Sequence, residues 1–225
     1  IYKISSFENN HYPLLKKVSK TKKPLIISLG LTRLDEIKEI VKYVKSNGCK
    51  ELVLLKCTSI YPANLENLNL DTIRDLKKKF NCGIGFSDHS EGIIAPLAAS
   101  ILGADLVEKH FTLKKIKKSL DKDFSINEFQ LENLIKQANQ AKVAIGKVNY
   151  NFSNQEKKRI DRKRSIFTKK NIDKGEILTR DNLTIIRPGS GLSPIFFDNI
   201  IGKKSKKKIS IASPLKSKDI KDFKF

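Results

Sequence analysis

The sequence lacks any apolar run long enough to cross a bilayer: LIISLGL at 25–31 and GIIAPLAASILGA at 92–104 are its longest such stretches, and both adjoin charged segments. Membrane insertion is not expected. It opens Ile1-Tyr2-Lys3-Ile4, with no basic segment leading into an apolar one, so no secretory signal is read. No initiating methionine stands there either, and the natural N-terminus is expected to lie upstream. Cysteine is scarce. Cys49, Cys57 and Cys82 are odd in number and none has knuckle or CxxC spacing, which argues against a disulfide framework and fits a reducing cytoplasm. Acidic residues are outnumbered, 24 against 45 basic, for a net charge of +21. The excess is spread along the chain, without a finger motif or an alternation of aromatic and basic residues. It reads as solvated cationic faces, and specific nucleic-acid binding is not expected.

What is present is a repeat. At 225 residues and 39% hydrophobic content, the chain has material for one large domain or two smaller ones. Short β-like runs recur at 2–7, 24–30, 51–57, 82–88 and 104–111. Most are apolar on both faces, as in a parallel sheet covered on each side. Helical periodicity fills the gaps: 33–46, with Thr32 and Asp35 as its cap; 71–80; 91–102, with Pro96 near its first turn; and a helix opening at Ser125-Glu128 that turns Leu131, Leu134, Ile135, Ala138 and Ala141 inward. Alternating strand and helix predicts an α/β fold with a parallel sheet. Every predicted strand ends in polar residues, which favours a TIM (β/α)8 barrel over a doubly wound sheet with one crevice. Five strands are visible where a barrel needs eight, so residues 1–146 are expected to be the C-terminal part of one, about strands 4 to 8. Residues 147–163 read as a polar linker. Residues 164–225, with turn signals at Asp173-Lys174-Gly175 and Arg187-Pro188-Gly189, read as a small, mostly β domain.

Two of the three histidines, His89 and His110, end consecutive predicted strands, so their rings can converge over one barrel mouth. They are either a two-imidazole metal site with open positions or two strand-end residues in ordinary hydrogen bonds. His11 is expected to be solvated. Lys3 and Lys56 could bind a carboxylate or phosphate at the same mouth, with Ser6, Ser28 and Ser87 as hydroxyl donors or simply as turn residues. Glu8 and Glu108 are either proton carriers or partners of a lysine.

The stretches KISSFE (3–8), KPLIISLG (23–30), KCTSIYP (56–62), GFSDHS (85–90) and EKHFTL (108–113) resemble successive signatures of the sialic acid synthase family, which includes the N-acetylneuraminate, legionaminate and pseudaminate synthases. KKNIDKGEILTRDNLTIIRPGSG (169–191) is similar to the antifreeze-like (SAF) domain that ends those enzymes. The resemblance implies condensation of phosphoenolpyruvate with an N-acetylated hexosamine, ManNAc or a 6-deoxy-diacetamido sugar, to a nonulosonic acid and phosphate. It makes His89 and His110 ligands of a divalent metal, usually Mn2+. It places Lys3, Ser6, Ser28 and Ser87 on phosphoenolpyruvate, with Ser59 where many members have an asparagine beside the phosphate. Glu8 becomes an acid or base near the reacting carbons, and Tyr61 and Asp121 become sugar contacts. Arg187 matches the SAF arginine that reaches a partner subunit's barrel, which implies a domain-swapped homodimer. Leu29 and Leu31 depart from the usual threonine and methionine around Gly30, and the loop after His110 lacks the Gly-Pro that often precedes the aspartate. The family's first βα units are absent, so this stretch alone is expected to be inactive. The alternative is an inactive remnant or a SAF-mediated binding or assembly module. A keto-deoxy-octonate type of synthase is disfavoured by the SAF-like tail.

Overall fold

Leu25, Ile27, Leu52, Leu54, Ile84 and Phe86 are all buried and alternate along their strands with residues of the opposite face. That period of two builds the sheet of the first unit. The computed structural model describes every residue except 117, 119, 224 and 225, and the chain divides into two compact units, Ile1–Lys147 and Val148–Phe225. The first runs β1 (Tyr2–Ile4), α1 (Tyr12–Ser19), β2 (Leu25–Ser28), α2 (Leu34–Ser46), β3 (Leu52–Cys57), α3 (Thr72–Lys79), β4 (Gly83–Asp88), α4 (Ile94–Ile101), β5 (Val107–Lys109) and α5 (Glu128–Ile145). All five strands are parallel, and each pairs with its neighbours in sequence, β1-β2-β3-β4-β5. A doubly wound sheet would reverse that order at its switch point; the curled half-barrel does not.

Register assigns the two faces. Ile4, Ile27, Leu54 and Ile84 lie in one row and join Leu15, Ile40, Val44, Ile73, Leu76 and Ala99 of the helices in a single core. The opposite face carries the rows Ser28-Leu55-Gly85 and Cys57-Ser87-Glu108. Gly85 is required there by close approach: a Cβ would stand 2.4 Å from the Leu106 carbonyl oxygen and 2.6 Å from Leu55 Cδ2.

Helix starts differ from the sequence expectation where a better cap lies nearby. α5 begins at Glu128 because Asn127 Oδ1 accepts from the Phe129 and Gln130 amides, while Gln130 Oε1 accepts from the Asn127 amide. Ser125 instead donates to the Asp121 carbonyl. Of its expected inward stripe only Leu134 is buried; Leu131 and Ile135 are exposed. At α2, Glu36 Oε2 accepts the Arg33 amide, and Thr32 turns back to the Gly30 carbonyl. α4 starts at Ile94, which leaves Pro96 in its first turn, where a missing N–H costs nothing.

In the second unit β6 (Ser165–Thr168) pairs antiparallel with β7 (Leu183–Ile186). Isolated bridges such as Ile172–Ile209 and Ser205–Ile220 complete it around a core of Ile166, Leu178, Leu183, Ile200 and Leu215. The stretch expected as a linker contains helical turns at Asn154–Lys157 and Ile160–Arg162. Ser153 and Glu156 cap the first of these reciprocally. Among the described residues no helix is long and apolar enough to cross a membrane.

Candidate active site at the strand ends

β4 and β5 deliver His89 and His110 to the same end of the sheet, and their ring centroids stand 5.2 Å apart at 61°. His89 Nδ1 lies 3.1 Å from the Thr58 carbonyl oxygen, and His110 Nδ1 lies 3.3 Å from Asp121 Oδ2. A carbonyl and a carboxylate only accept hydrogen bonds, so in each ring Nδ1 is the nitrogen placed to donate, and a neutral ring of that tautomer keeps its lone pair on Nε2. This is the second-layer arrangement that orients metal-binding histidines. Phe124 closes against both rings, at 6.1 Å from His89 and 4.8 Å from His110, and the Tyr61 ring lies 4.2 Å from that of His89, tilted by 49°. Burial opposes charge on both imidazoles. On His89 the contacts with Cys57 and the Thr58 carbonyl outweigh burial and raise the pKa. On His110 burial, reinforced by the neighbouring His89, lowers it. Among the described residues no group of three or more His, Cys, Asp and Glu is gathered at ligand spacing. The two Nε2 atoms would offer two imidazole donors and leave further positions to substrate or water, a chemistry that suits a divalent transition metal.

Beside this pair a lysine, a glutamate and several serines gather on the same face of the sheet. Glu108 Oε1 takes the Lys3 ammonium at 3.0 Å and the Ser87 hydroxyl at 2.7 Å, so Glu108 is a lysine partner as well as a strand-end carboxylate. Ser6 Oγ accepts the Gly30 amide at 2.9 Å. Ser28 Oγ is buried with no hydrogen-bond partner, and Ser59 Oγ abuts Gly30. Four serines, one lysine and one glutamate thus line the mouth. Cys57 belongs to the same face: burial pushes its thiol up, but contacts with His89, Ser6 and Ser59 outweigh this and lower its pKa.

Other expected residues lie elsewhere. Lys56 shares its register row with Phe86 of the helix-covered core, and its Nζ donates to the Cys57 carbonyl and Thr58 Oγ1. Strand alternation turns it away from Lys3, and it is not part of the mouth. Asp88, grouped in sequence with Ser87 and His89, alternates in the same way and pairs with Lys109. Asp121 stands behind His110. Glu8 is exposed and takes the Ser5 hydroxyl, and His11 is exposed at the start of α1. Arg187 lies in the second unit, exposed just after β7. Three contributors escaped the sequence reading. Asn9 is buried and donates to the Ser28 carbonyl and Thr32 Oγ1. Phe124, an isolated aromatic in a charged loop, was marked only by that isolation. Lys109 was marked only by its alternation with Glu108 and His110.

Residues 1–150 match the NeuB family and residues 163–221 match the SAF domain. The chain is 38% identical over 220 residues to pseudaminic acid synthase of Campylobacter jejuni, covering 98% of this chain and 64% of that protein. It is 39% identical over 206 residues to N,N'-diacetyllegionaminic acid synthase of the same species, covering 90% and 62%. The solved structure of N-acetylneuraminic acid synthetase from Leptospira borgpetersenii, in complex with citrate, superposes with a TM-score of 0.64 at 31% identity, over 70% of this chain and 55% of that one. The chain thus spans less than two thirds of the length of each of these three relatives. By the match across its first 150 residues, it belongs to the NeuB family and carries a SAF domain after it.

Proposed function

We propose that this chain is part of a nonulosonic acid synthase that joins phosphoenolpyruvate to an N-acetylated hexosamine and releases phosphate. The observation that carries the reading is the convergence of His89 and His110 with both Nδ1 atoms already engaged. A divalent cation held there, Mn2+ in this proposal, supplies Lewis acidity to the sugar aldehyde. Lys3, Ser6, Ser28, Ser59 and Ser87 hold the carboxylate and phosphate of phosphoenolpyruvate by charge-assisted hydrogen bonds. The unpartnered hydroxyl of Ser28 supports that role. C3 of phosphoenolpyruvate forms the new bond to the aldehyde carbon, water adds at C2, and phosphate leaves to give the keto acid. Glu8, exposed in the turn that follows β1, is assigned by this proposal as the acid or base that reaches the reacting carbons once substrate is bound.

Tyr61 beside His89 fits a sugar-stacking position. Asp121, 3.3 Å from His110 Nδ1, is assigned to the sugar side of the same pair. Homodimerisation, with Arg187 recognising the acetamido group, belongs to the same proposal. Relatives named for pseudaminic and diacetyllegionaminic acid are about equally similar, so the sugar is specified only as an N-acetylated hexosamine. The test is product mass, using protein from the complete natural reading frame with phosphoenolpyruvate, Mn2+ and each candidate hexosamine. The expected result is a condensation product with equimolar phosphate, both lost in His89→Ala. Near-normal turnover by His89→Ala would refute the ligand assignment.

A further inference from the structure

Asp88 and Lys109 are register partners on the helix-covered face of β4 and β5. Their side chains are 0% and 5% exposed, and Lys109 Nζ lies 2.8 Å from Asp88 Oδ2. Asp88 immediately precedes His89, and Lys109 immediately precedes His110. Both partners also hold Ser90: Asp88 Oδ1 accepts the Ser90 amide at 2.8 Å and its hydroxyl at 2.7 Å, and Lys109 Nζ donates to the Ser90 carbonyl. The Asp88-His89-Ser90 turn is thus closed on itself and tied to the next strand, with His89 at its apex. From the other side, the His89 carbonyl accepts the Ala63 amide at 2.9 Å, and the His110 carbonyl accepts the Ile126 amide at 2.9 Å.

Stability alone is a poor reason to bury such a pair. Removing two charges from water costs several kcal/mol per ion, and replacing such a pair by uncharged residues of similar volume is often neutral or stabilising. What an ion pair adds over apolar packing is a fixed distance between two particular backbone positions. Here those positions are the residues before each histidine.

We infer that the buried Asp88–Lys109 pair is a positioning device that sets the spacing and orientation of His89 and His110, and so the affinity and coordination geometry of the cation between them. Neither residue touches the cation or substrate; both act through the strand ends. The inference rests on the metal reading proposed above, and its test separates the two.

The probe is the metal alone. The full chain is titrated with Mn2+ by calorimetry and with Co2+ by visible absorption, alongside Asp88→Asn/Lys109→Met, Ser90→Ala and His89→Ala/His110→Ala. The neutral double variant is expected to keep its thermal midpoint within a few degrees. It should bind Mn2+ about 10- to 100-fold more weakly, the usual cost of losing a group behind a metal ligand, with altered Co2+ bands. Ser90→Ala deletes one hydrogen bond of the same clamp and shifts affinity in the same direction by less. A folded double variant with wild-type affinity and spectrum overturns the inference. If that variant does not fold, wild-type affinity in Ser90→Ala overturns it instead. Should the unmodified chain bind no metal, or the double-histidine variant bind as well as it does, the metal reading fails and this inference with it.

Discussion

Gly30→Ala couples the stability of the half-barrel to the candidate anion site. A Cβ at Gly30 would stand 2.0 Å from Ser59 Oγ, 2.7 Å from Ser6 Oγ and 3.0 Å from Ser6 Cβ. The Ser59 hydroxyl relieves its clash by rotating about χ1. Ser6 cannot, because it is 8% exposed and its Oγ accepts the Gly30 amide. Breaking that bond costs about 1 kcal/mol, and crowding the packed strand end adds roughly 1–3 kcal/mol. The total of roughly 2–4 kcal/mol corresponds to a fall of about 4–16 °C in the melting midpoint for a domain of this size. Circular dichroism melting measures it, and adding Ser59→Gly to the variant identifies its origin. Because Ser59 moves easily, removing its hydroxyl should recover little of the loss. An unchanged midpoint, or full recovery with Ser59→Gly, would refute the claim that Ser6 and Gly30 form the rigid floor of the site.

Phe86→Ala should cost about 3–5 kcal/mol, since the ring is completely buried under the helices; a urea midpoint close to wild type would place Phe86 outside the core. Asp105 gives a pH-dependent case. Burial raises its carboxyl pKa, but the Lys77 ammonium at 2.7 Å and the Ile84 amide at 2.9 Å outweigh that and hold it below its ordinary value. A depressed folded pKa stabilises above the unfolded value of about 3.9 and is lost as pH falls through the lower folded one. Asp105→Asn should therefore lower the midpoint at neutral pH, by an amount reduced in high salt because the pair is half exposed, and converge on wild type in acid. A difference independent of pH would show that charge contributes nothing there.

The parallel sheet was legible because strands buried on both faces leave continuous apolar runs such as LIIS and LVLL, and its barrel character because each of those strands ends in polar residues. The convergence of His89 and His110 was legible because both immediately follow parallel strands. Lys56 was misread for a reason equally simple. Proximity in sequence to a strand end does not fix the face, and the pleat turned Lys56 toward the helices while Cys57 took the inner position. The Asp88–Lys109 pair was hidden by the prior that lysines are solvated. Asn9 was invisible because its acceptors, Ser28 and Thr32, lie some twenty residues away across a βα unit. The start of α5 was missed because Ser125 and Glu128 imitate the capping pattern that Asn127 and Gln130 satisfy.

The central claim is that two imidazoles from adjacent strands hold one cation through Nε2. Crystals of the chain grown with Mn2+ and measured above and below the manganese absorption edge test it directly. The account predicts one anomalous peak between the rings, about 2 Å from Nε2 of both His89 and His110, with Nδ1 still facing Thr58 and Asp121. A peak elsewhere, or ligation through Nδ1, would contradict it.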